Sequence, residues 1–259
     1  MKKLFRAPPV IKNEGFTYQD CHSYSEYNYL RESYISNIKR RHFEIALDLT
    51  SEYFFNANVI DFGCADGIFL PSLSNYFCSV LGIERNEKFV SIAQKLTTEL
   101  NLKNVKIINN SDLSIQAIKE TELSGKESRI IFLLEVMEHI GASFKTMHED
   151  RIAFLKEMFS LVGDEGIIVI SVPRMVGLSF LIQQIGLGLF NLNRSEYTLK
   201  ELIMCSILKD TSEVEKYWIP EFTHKGFNHE RFERDLAQVF LIERKVVDIF
   251  QVVYVIKKK

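Results

Sequence analysis

Residues 59–67 read Val59-Ile60-Asp61-Phe62-Gly63-Cys64-Ala65-Asp66-Gly67, and the rest of the chain can be organised around this segment. It begins as a short buried strand, passes through a glycine-containing turn and leads into a helical pattern over residues 68–76. Small residues at such a turn let a ligand approach the backbone, and the following helix N-terminus offers N–H donors. The segment therefore predicts a ligand site at the carboxyl end of the first strand.

The second predicted strand, residues 79–84, ends on an acidic residue. Glu84 lies 84 − 63 = 21 residues after Gly63, an offset that suits a carboxylate accepting hydrogen bonds from two ribose hydroxyls. The glycines follow GxxxG rather than GxGxxG, and no GxxxxGK[ST] run occurs. The spacing predicts an adenosine-type cofactor and disfavours a nicotinamide dehydrogenase or a P-loop enzyme.

Strands and helices alternate along most of the chain, which favours right-handed crossovers and a mostly parallel sheet. Strands are predicted at 58–62, 79–84, 105–108, 130–134 and 167–172. Helices are predicted at 23–55, 68–76, 86–100, 150–161 and 229–239, with a turn at 163–166. The apolar runs 240–249 and 252–256 are too close for a crossover helix, so they predict an antiparallel hairpin.

Composition narrows the function. The 259 residues are 46% hydrophobic and 25% charged, which fits a folded chain with a sizeable core. A formal net charge of −2 argues against a nucleic-acid partner. No apolar run is long enough to span a membrane, no signal peptide is recognisable, and the four cysteines show no CxxC spacing. We expect reduced thiols and a cytoplasmic location.

The combined motifs resemble those of class I S-adenosylmethionine-dependent methyltransferases, most closely the ubiquinone-biosynthesis O-methyltransferase type. The matching segments are 61–67, Glu84, 110–113, 133–140, 161–166 and 171–173. The resemblance implies a Rossmann-like α/β fold with a seven-stranded sheet, helices on both faces and a C-terminal antiparallel hairpin. It also implies S-adenosyl-L-methionine as cofactor and S-adenosyl-L-homocysteine as product.

The resemblance assigns the cofactor to residues after four strands. These are Asp61, Gly63, Cys64, Ala65, Gly67, Glu84, Arg85, Ser111, Asp112, Leu113 and Glu135. Asp61 and the glycine turn would surround the methionine part, Glu84 the ribose and Asp112 the adenine. Ala65 stands where the family more often has glycine, and we expect an alanine to be tolerated there if its φ is negative.

The catalytic candidates follow the fourth strand. His139 suits a general base because its pKa lies near neutrality, with Glu138 beside it. Two alternatives remain open: His139 only fixes its loop, or Glu135, Glu138 and His139 hold a divalent cation, as the resemblance implies. His224, in the segment before the last helix, is a substrate-side candidate.

The segment from Arg174 to His224 is longer than the sheet needs and predicts a helical insert. Its largely apolar start, Met175–Phe190, and a second helix, Thr198–Leu208, suit a lid over the acceptor, with Phe180 and Leu181 in contact with it. A packed hairpin without such a role, or shallow docking on a membrane, are the alternatives.

These features divide the chain into an N-terminal helical segment (1–55), a cofactor-binding core (56–173), the insert (174–227) and a final helix with hairpin (228–259). The predicted function is methyl transfer to oxygen of a small-molecule or lipid-linked acceptor that is partly apolar. The alternatives are N-methylation of a small molecule or protein, and a non-catalytic cofactor-binding subunit.

Overall fold

The computed structural model describes residues 3–12, 17–111, 115, 118, 128–189, 197–220 and 224–259. Its strands are β1 (Asn58–Phe62), β2 (Ser79–Glu84), β3 (Val105–Asn109), β4 (Ser128–Leu134), β5 (Val162–Pro173), β6 (Phe240–Val247) and β7 (Gln251–Lys258). Within this described part, the strands form a seven-stranded sheet in the order β3-β2-β1-β4-β5-β7-β6. β1 runs parallel to β2 and β4, β2 runs parallel to β3, and β6 and β7 are antiparallel. The predicted fold class is confirmed.

The chain divides into two compact units. The first contains Met1–Leu134 and Glu157–Val169, and the second contains Glu135–Lys156 and Ile170–Lys259. Of the described helices, α1 (Tyr34–Lys39), α2 (Arg41–Leu49), α3 (Leu70–Tyr76) and α4 (Glu87–Glu99) lie in the first unit, and α5 (Met147–Met158) begins in the second. The helices α6 (Leu178–Leu189), α7 (Leu199–Ile203), α8 (Ser212–Glu215) and α9 (His229–Val239) belong to the second unit. None of these helices is long and apolar enough to cross a membrane.

In the first unit, β1 and β2 are largely buried and β3 is not, and the helices α1 and α4 begin at capping side chains. The Asn86 side chain accepts a hydrogen bond from Lys88 N at 3.0 Å, which satisfies one of the free N–H groups at the start of α4. From there α4 turns Val90, Ala93 and Leu96 into the core. Because both cap and apolar spacing are local, the sequence predicts this helix to within one residue at each end.

The predicted N-terminal helix over residues 23–55 is instead broken into pieces. A π-helical turn at Glu26–Leu30 ends at Arg31, whose ψ of 141° is extended. The Ser33 side chain then accepts from Ser36 N and starts α1 anew. A 3₁₀ turn, Ser51–Tyr53, follows α2. Apolar spacing continues across these breaks, so the spacing alone does not reveal that a new helix starts after Ser33.

The last predicted helix is confirmed, and three other predicted boundaries differ from the structure. Asn228 caps α9, accepting hydrogen bonds from the backbone of Glu230 and Arg231 at 3.1 Å each. The predicted turn at 163–166 is part of β5, and the helix predicted at 150–161 spans Met147–Met158. The helix predicted over 198–208 is α7 followed by a π-helical turn, Met204–Leu208.

Candidate functional site

The glycine turn after β1 depends on residues with positive φ. Gly63 and Gly67 have φ values of 78° and 90°, in the region that glycine adopts without strain. A Cβ at Gly67 would lie 3.1 Å from the Cβ of Ala93, so α4 packs closely against the turn. Gly63 N and Cys64 N donate to the Ile83 carbonyl at 2.8 and 3.1 Å, which ties the turn to β2.

Ala65 does not meet the condition stated for an alanine at this position, because its φ is +47°. In this conformation its N–H donates to Oε2 of Glu84 at 3.0 Å. The left-handed region costs an L-residue roughly 1–2 kcal/mol. The chain therefore maintains a strained alanine next to the ribose-binding candidate, as is common where backbone geometry serves a site.

We expect Ala65→Gly to raise the free energy of unfolding by about 0.5–1 kcal/mol, since strain is relieved but unfolded-state entropy increases. Chemical denaturation of the cofactor-free protein measures the change. The matched control is Ala46→Gly, inside α2 and fully buried, which should destabilise by about 1 kcal/mol. A loss of stability in Ala65→Gly would contradict the strain.

Glu84 is nearly buried at the end of β2, with its carboxylate fixed by backbone donors. Oε1 accepts from Arg85 N at 2.9 Å and from Asn86 N at 2.8 Å, while Oε2 accepts from Ala65 N. A carboxylate offers about four acceptor sites, and three are used here, so Oε2 retains one for a hydroxyl donor. The Arg85 side chain is exposed. Glu84 is thus held in position in advance of any ligand.

Asp61, the acidic residue of β1, is buried near Glu84. No described residue provides a hydrogen-bond partner for its Oδ2. Burial, and secondarily the negative charge of Glu84, raise the pKa of Asp61 to about 7. A buried, unpartnered carboxylate oxygen beside a glycine turn suits a ligand that carries positive charge or N–H donors.

This pKa has a consequence for stability. Because the folded-state pKa exceeds the unfolded value of about 3.9, the folded state binds the extra proton between those values and loses stability as pH rises through them. Asp61→Asn should therefore gain about 2 kcal/mol of unfolding free energy relative to wild type between pH 5 and 7. Urea denaturation of both cofactor-free proteins tests this, and parallel pH profiles would contradict it.

The adenine-side candidates are described in part. Asn110 N donates to the Glu84 carbonyl at 2.9 Å, which brings the end of β3 beside Glu84. Ser111 follows and is exposed. Asp112 and Leu113 lie outside the described residues, so their cofactor role stays a prediction.

Asp66, in the glycine turn, contacts Ser25 in the N-terminal segment, a contact that the sequence motifs do not predict. Its buried carboxylate accepts from Ser25 N at 2.7 Å and from the Ser25 hydroxyl. Burial raises the pKa of Asp66, against the opposing effect of the Ser25 hydrogen bonds. Nothing in the sequence spacing relates residue 25 to residue 66, so this contact could be found only in three dimensions.

The second unit begins with the loop after β4, where Glu135 adopts a φ of +57°. Its N–H donates to the carbonyl and hydroxyl oxygens of Ser171, at 3.1 and 3.0 Å. The Ser171 hydroxyl in turn donates to Oε1 of Glu135 at 3.0 Å. These contacts fix the start of the loop and turn the Glu135 carboxylate toward β5.

A 3₁₀ turn, Met137–His139, follows and is held by two buried side chains. Arg151 Nε donates to the Met137 carbonyl at 2.8 Å, and its Nη2 donates to the Glu138 carbonyl at 3.2 Å. Trp218 Nε1 donates to the same Glu138 carbonyl at 2.9 Å. The Arg151 guanidinium also lies against the rings of Trp218 and Phe227. The loop is therefore rigidly supported.

Glu138, His139 and His224 lie close together in this unit and are here called the Glu–His–His cluster. Oε1 of Glu138 lies 4.0 Å from Nε2 of His139 and 4.0 Å from Nε2 of His224. The two Nε2 atoms are 3.2 Å apart. Glu138 is fully buried, while the two imidazoles are partly exposed.

Burial, reinforced by the charge of Glu135, raises the pKa of Glu138 well above its usual range, although Arg151 acts in the opposite direction. Within the described part of the chain, neither carboxylate oxygen of Glu138 has a hydrogen-bond partner. The cluster can accept a proton, or bind a cation. Sequence reasoning singled out Glu138, His139 and His224 separately, but had no signal that His224 meets the other two.

The insert differs from its prediction in which side chains are accessible. Phe180 is fully buried with Cys205 and Val214, and its ring centroid lies 5.0 Å from that of Tyr197. Leu181 is half-buried. On α6, α7 and the turn after α7, the exposed aliphatic side chains are Leu178, Ile182, Ile185, Leu199, Ile203, Ile207 and Leu208. Phe190, at the end of the predicted apolar segment, lies outside the described residues.

Comparisons with known proteins agree with this geometry. A family model described as a methyltransferase domain matches residues 31–239, most of the chain. A SAM-dependent methyltransferase from Aquifex aeolicus is similar in structure, with 16% identity, a TM-score of 0.51 and coverage of 84% of this chain and 92% of that one. Magnesium protoporphyrin IX methyltransferase from Synechocystis PCC 6803 with bound SAH has 16% identity, a TM-score of 0.53 and coverage of 88% and 89%.

The N-methyltransferase NodS from Bradyrhizobium japonicum WM9 in complex with S-adenosyl-L-homocysteine has 12% identity, a TM-score of 0.52 and coverage of 88% and 90%. At these identities the structural similarity shows the fold. No curated protein matches the chain by sequence. The glycine turn, the unpartnered oxygen of Asp61 and the fixed carboxylate of Glu84 fit the charged and hydroxylated parts of S-adenosylmethionine. The chain belongs to the methyltransferase-domain family and has the class I fold of S-adenosylmethionine-dependent methyltransferases.

Proposed function

We propose that the protein methylates a hydroxyl oxygen of a small or lipid-linked acceptor that is partly apolar. The observation that carries this proposal is the Glu–His–His cluster, in the loop after β4 and the segment before α9. A hydroxyl is a weak nucleophile until it loses its proton, so its methylation benefits from a group that takes the proton or lowers its pKa. A neutral amine has no such need before it attacks.

S-adenosylmethionine supplies an activated methyl group to the reaction. Asp61, with Gly63, Cys64, Ala65 and Gly67, is proposed to surround its methionine part. Glu84 and Arg85 are assigned to the ribose, while Ser111, Asp112 and Leu113 are assigned to the adenine. Glu135, in the loop after β4, is the last residue assigned to cofactor binding. The preset carboxylate of Glu84 supports the ribose assignment because little side-chain freedom is lost on binding.

Within the cluster, His139 is the proposed group that receives the acceptor's proton. Its imidazole is accessible, with 29% of the side chain exposed, whereas Glu138 is fully buried. His224, 3.2 Å from His139, and Glu138 would orient the ring and stabilise the protonated form. Methylation of a hydroxyl needs one accessible proton acceptor, and the partly exposed imidazole of His139 is one.

The insert supports a partly apolar acceptor. Seven large aliphatic side chains are exposed on α6, α7 and the turn after α7. Apolar side chains concentrated on an exposed surface are typical of ligand or interaction sites. We assign Leu178, Ile182 and Ile185 to acceptor contact, because they are accessible on α6 whereas Phe180 is enclosed.

Incubation with S-adenosylmethionine carrying a deuterated methyl group tests the proposal. The acceptors are matched pairs of alkylated phenols and anilines, and products are identified by mass spectrometry. Transfer to phenol oxygen supports the proposal, and transfer to nitrogen alone contradicts it. If the purified protein carries S-adenosylhomocysteine but methylates none of the pairs, the non-catalytic subunit becomes the better interpretation.

The cofactor assignment predicts a loss of affinity in Glu84→Ala. Each hydrogen bond to a charged group contributes about 1.5–3 kcal/mol, so the affinity for S-adenosylhomocysteine should fall by at least about tenfold. Titration calorimetry measures it, and Glu87→Ala, exposed at the start of α4, is the matched control. Thermal unfolding shows whether the turn survives. An unchanged affinity in a folded variant would exclude the ribose role.

A further inference from the structure

We propose that Glu138, His139 and His224 bind one divalent transition-metal cation, such as Zn²⁺. This set differs from the one expected from the sequence, because the third ligand is His224 and not Glu135. The binding itself is independent of the proposed function. Its role in activating an acceptor oxygen does rest on that function, and the cation would then replace His139 as the activating group, because a metal-bound imidazole nitrogen cannot also take up a proton.

The geometry of the cluster is the first support. One ligand atom from each of the three residues lies within 4.8 Å of the other two. The 3.2 Å between the Nε2 atoms is close to the edge of about 3.3 Å that tetrahedral Zn–N bonds of about 2.0–2.1 Å would give. A shift of about 0.7 Å in the carboxylate, relative to its present 4.0 Å from each nitrogen, completes that geometry.

Charge is the second, independent support. Glu138 is fully buried, and among the residues that the structure describes neither of its oxygens has a hydrogen-bond partner. Burial of a carboxylate without compensation is costly. A hydrogen bond between the two imidazoles would explain their short separation, but it leaves the carboxylate without a hydrogen-bond donor, so only the nearby charge of Arg151 offsets its burial. A cation bound by all three groups would account for the short distance between the two Nε2 atoms and would also balance the charge of the buried carboxylate.

Arg151 does not provide this compensation through hydrogen bonds. Its Nε and Nη2 donate to the backbone carbonyls of Met137 and Glu138, so they hold the turn rather than the carboxylate. Trp218 adds a third backbone contact at the Glu138 carbonyl. These contacts hold the backbone of Glu138 rigidly. Rigidly held ligands let a site select a cation by its coordination geometry as well as by its charge.

The donor set selects the class of cation. Two imidazoles with one carboxylate suit Zn²⁺ and neighbouring first-row cations, whereas Mg²⁺ and Ca²⁺ prefer oxygen ligands alone. Three protein ligands leave a coordination position open, as in catalytic rather than structural zinc sites. The exposed fractions of the two imidazole side chains, 29% and 41%, keep that position accessible to an acceptor oxygen.

Binding is tested on the 259-residue chain after dialysis against a chelator and then into metal-free buffer. Competition with a chromophoric zinc indicator should show one Zn²⁺ bound per chain, and thermal unfolding should shift upward when Zn²⁺ is added. His224→Ala and Glu138→Gln should each weaken binding by at least about tenfold, since even outer partners of metal ligands have effects of that size. His22→Ala, an exposed histidine outside the cluster, is the matched control and should bind as wild type.

Failure to bind Zn²⁺, unaltered binding in both cluster variants, or equal binding of Mg²⁺ would each overturn the proposal. These readouts need neither cofactor nor acceptor. Failure to methylate phenols would therefore count against the proposed function and leave the metal site standing. Methylation by a protein shown to bind no cation would keep the proposed function and remove the site.

Discussion

Replacing His139 with alanine should lower the rate of methyl transfer by about 10²–10⁴, the contribution expected of a positioned proton acceptor. A ligand of a cation that activates the acceptor would show a loss in the same direction. His139 is accessible, next to His224 and the buried carboxylate of Glu138, so its removal leaves the acceptor proton without a nearby imidazole lone pair. Single-turnover assays with a methylated phenol as product measure the rate.

The two roles separate on addition of chelator. A general base leaves wild-type activity insensitive to chelator, whereas a metal ligand makes activity disappear with the cation and return with Zn²⁺. His22→Ala serves as the control for loss of an imidazole outside the cluster. Calorimetry with S-adenosylhomocysteine should give nearly the wild-type affinity for His139→Ala. A fully active His139→Ala enzyme that ignores chelator would exclude both roles.

Phe180→Ser should reduce the free energy of unfolding by about 3–5 kcal/mol, the usual range for removing a buried aromatic ring. Phe180 is fully buried with Cys205 and Val214 and packs edge-on against Tyr197. Its loss leaves a cavity and introduces a buried hydroxyl. Urea denaturation followed by near-ultraviolet circular dichroism measures the change.

The matched variant is Ile182→Ser, on the exposed side of the same helix, with 66% of the residue accessible. It should change stability by no more than about 0.5 kcal/mol and raise the KM for an apolar acceptor. S-adenosylhomocysteine affinity should not change. If Phe180→Ser is as stable as wild type, the packing of the insert is not as described. If Ile182→Ser leaves the acceptor KM unaltered, the acceptor does not contact this side of α6.

The regular part of the fold follows from short-range patterns. β1, β2 and α9 begin and end where the sequence predicts, because each combines an uninterrupted apolar pattern with a cap or turn at its boundary. The N-terminal helices could not be separated by pattern alone, since apolar spacing continues across the break at Arg31. At this break the extended backbone of Arg31 ends one helical turn and the Ser33 cap starts the next helix, although the apolar periodicity continues.

The candidate site was predictable one residue at a time but not as an arrangement. Glu84 follows from its offset to Gly63, and His139 from its place after β4. The approach of His224 to His139 joins positions 85 residues apart, which depends on how the chain returns before α9. The positive φ of Ala65 could not be predicted from the sequence, because an alanine normally avoids that conformation. In this conformation the Ala65 N–H donates a hydrogen bond to Glu84.

The contact between Ser25 and Asp66 bears on where this enzyme can be shortened. The family match starts at residue 31, which would suggest a minimal catalytic protein beginning there. Yet Leu4 N and Phe5 N donate to the carboxylate of Glu44, and Arg6 N donates to the Ser72 hydroxyl. Removing the first thirty residues would strip these donors and leave Asp66 buried without its serine. The leading segment is thus part of the folding unit, and an affinity tag is better attached ahead of it than in place of it.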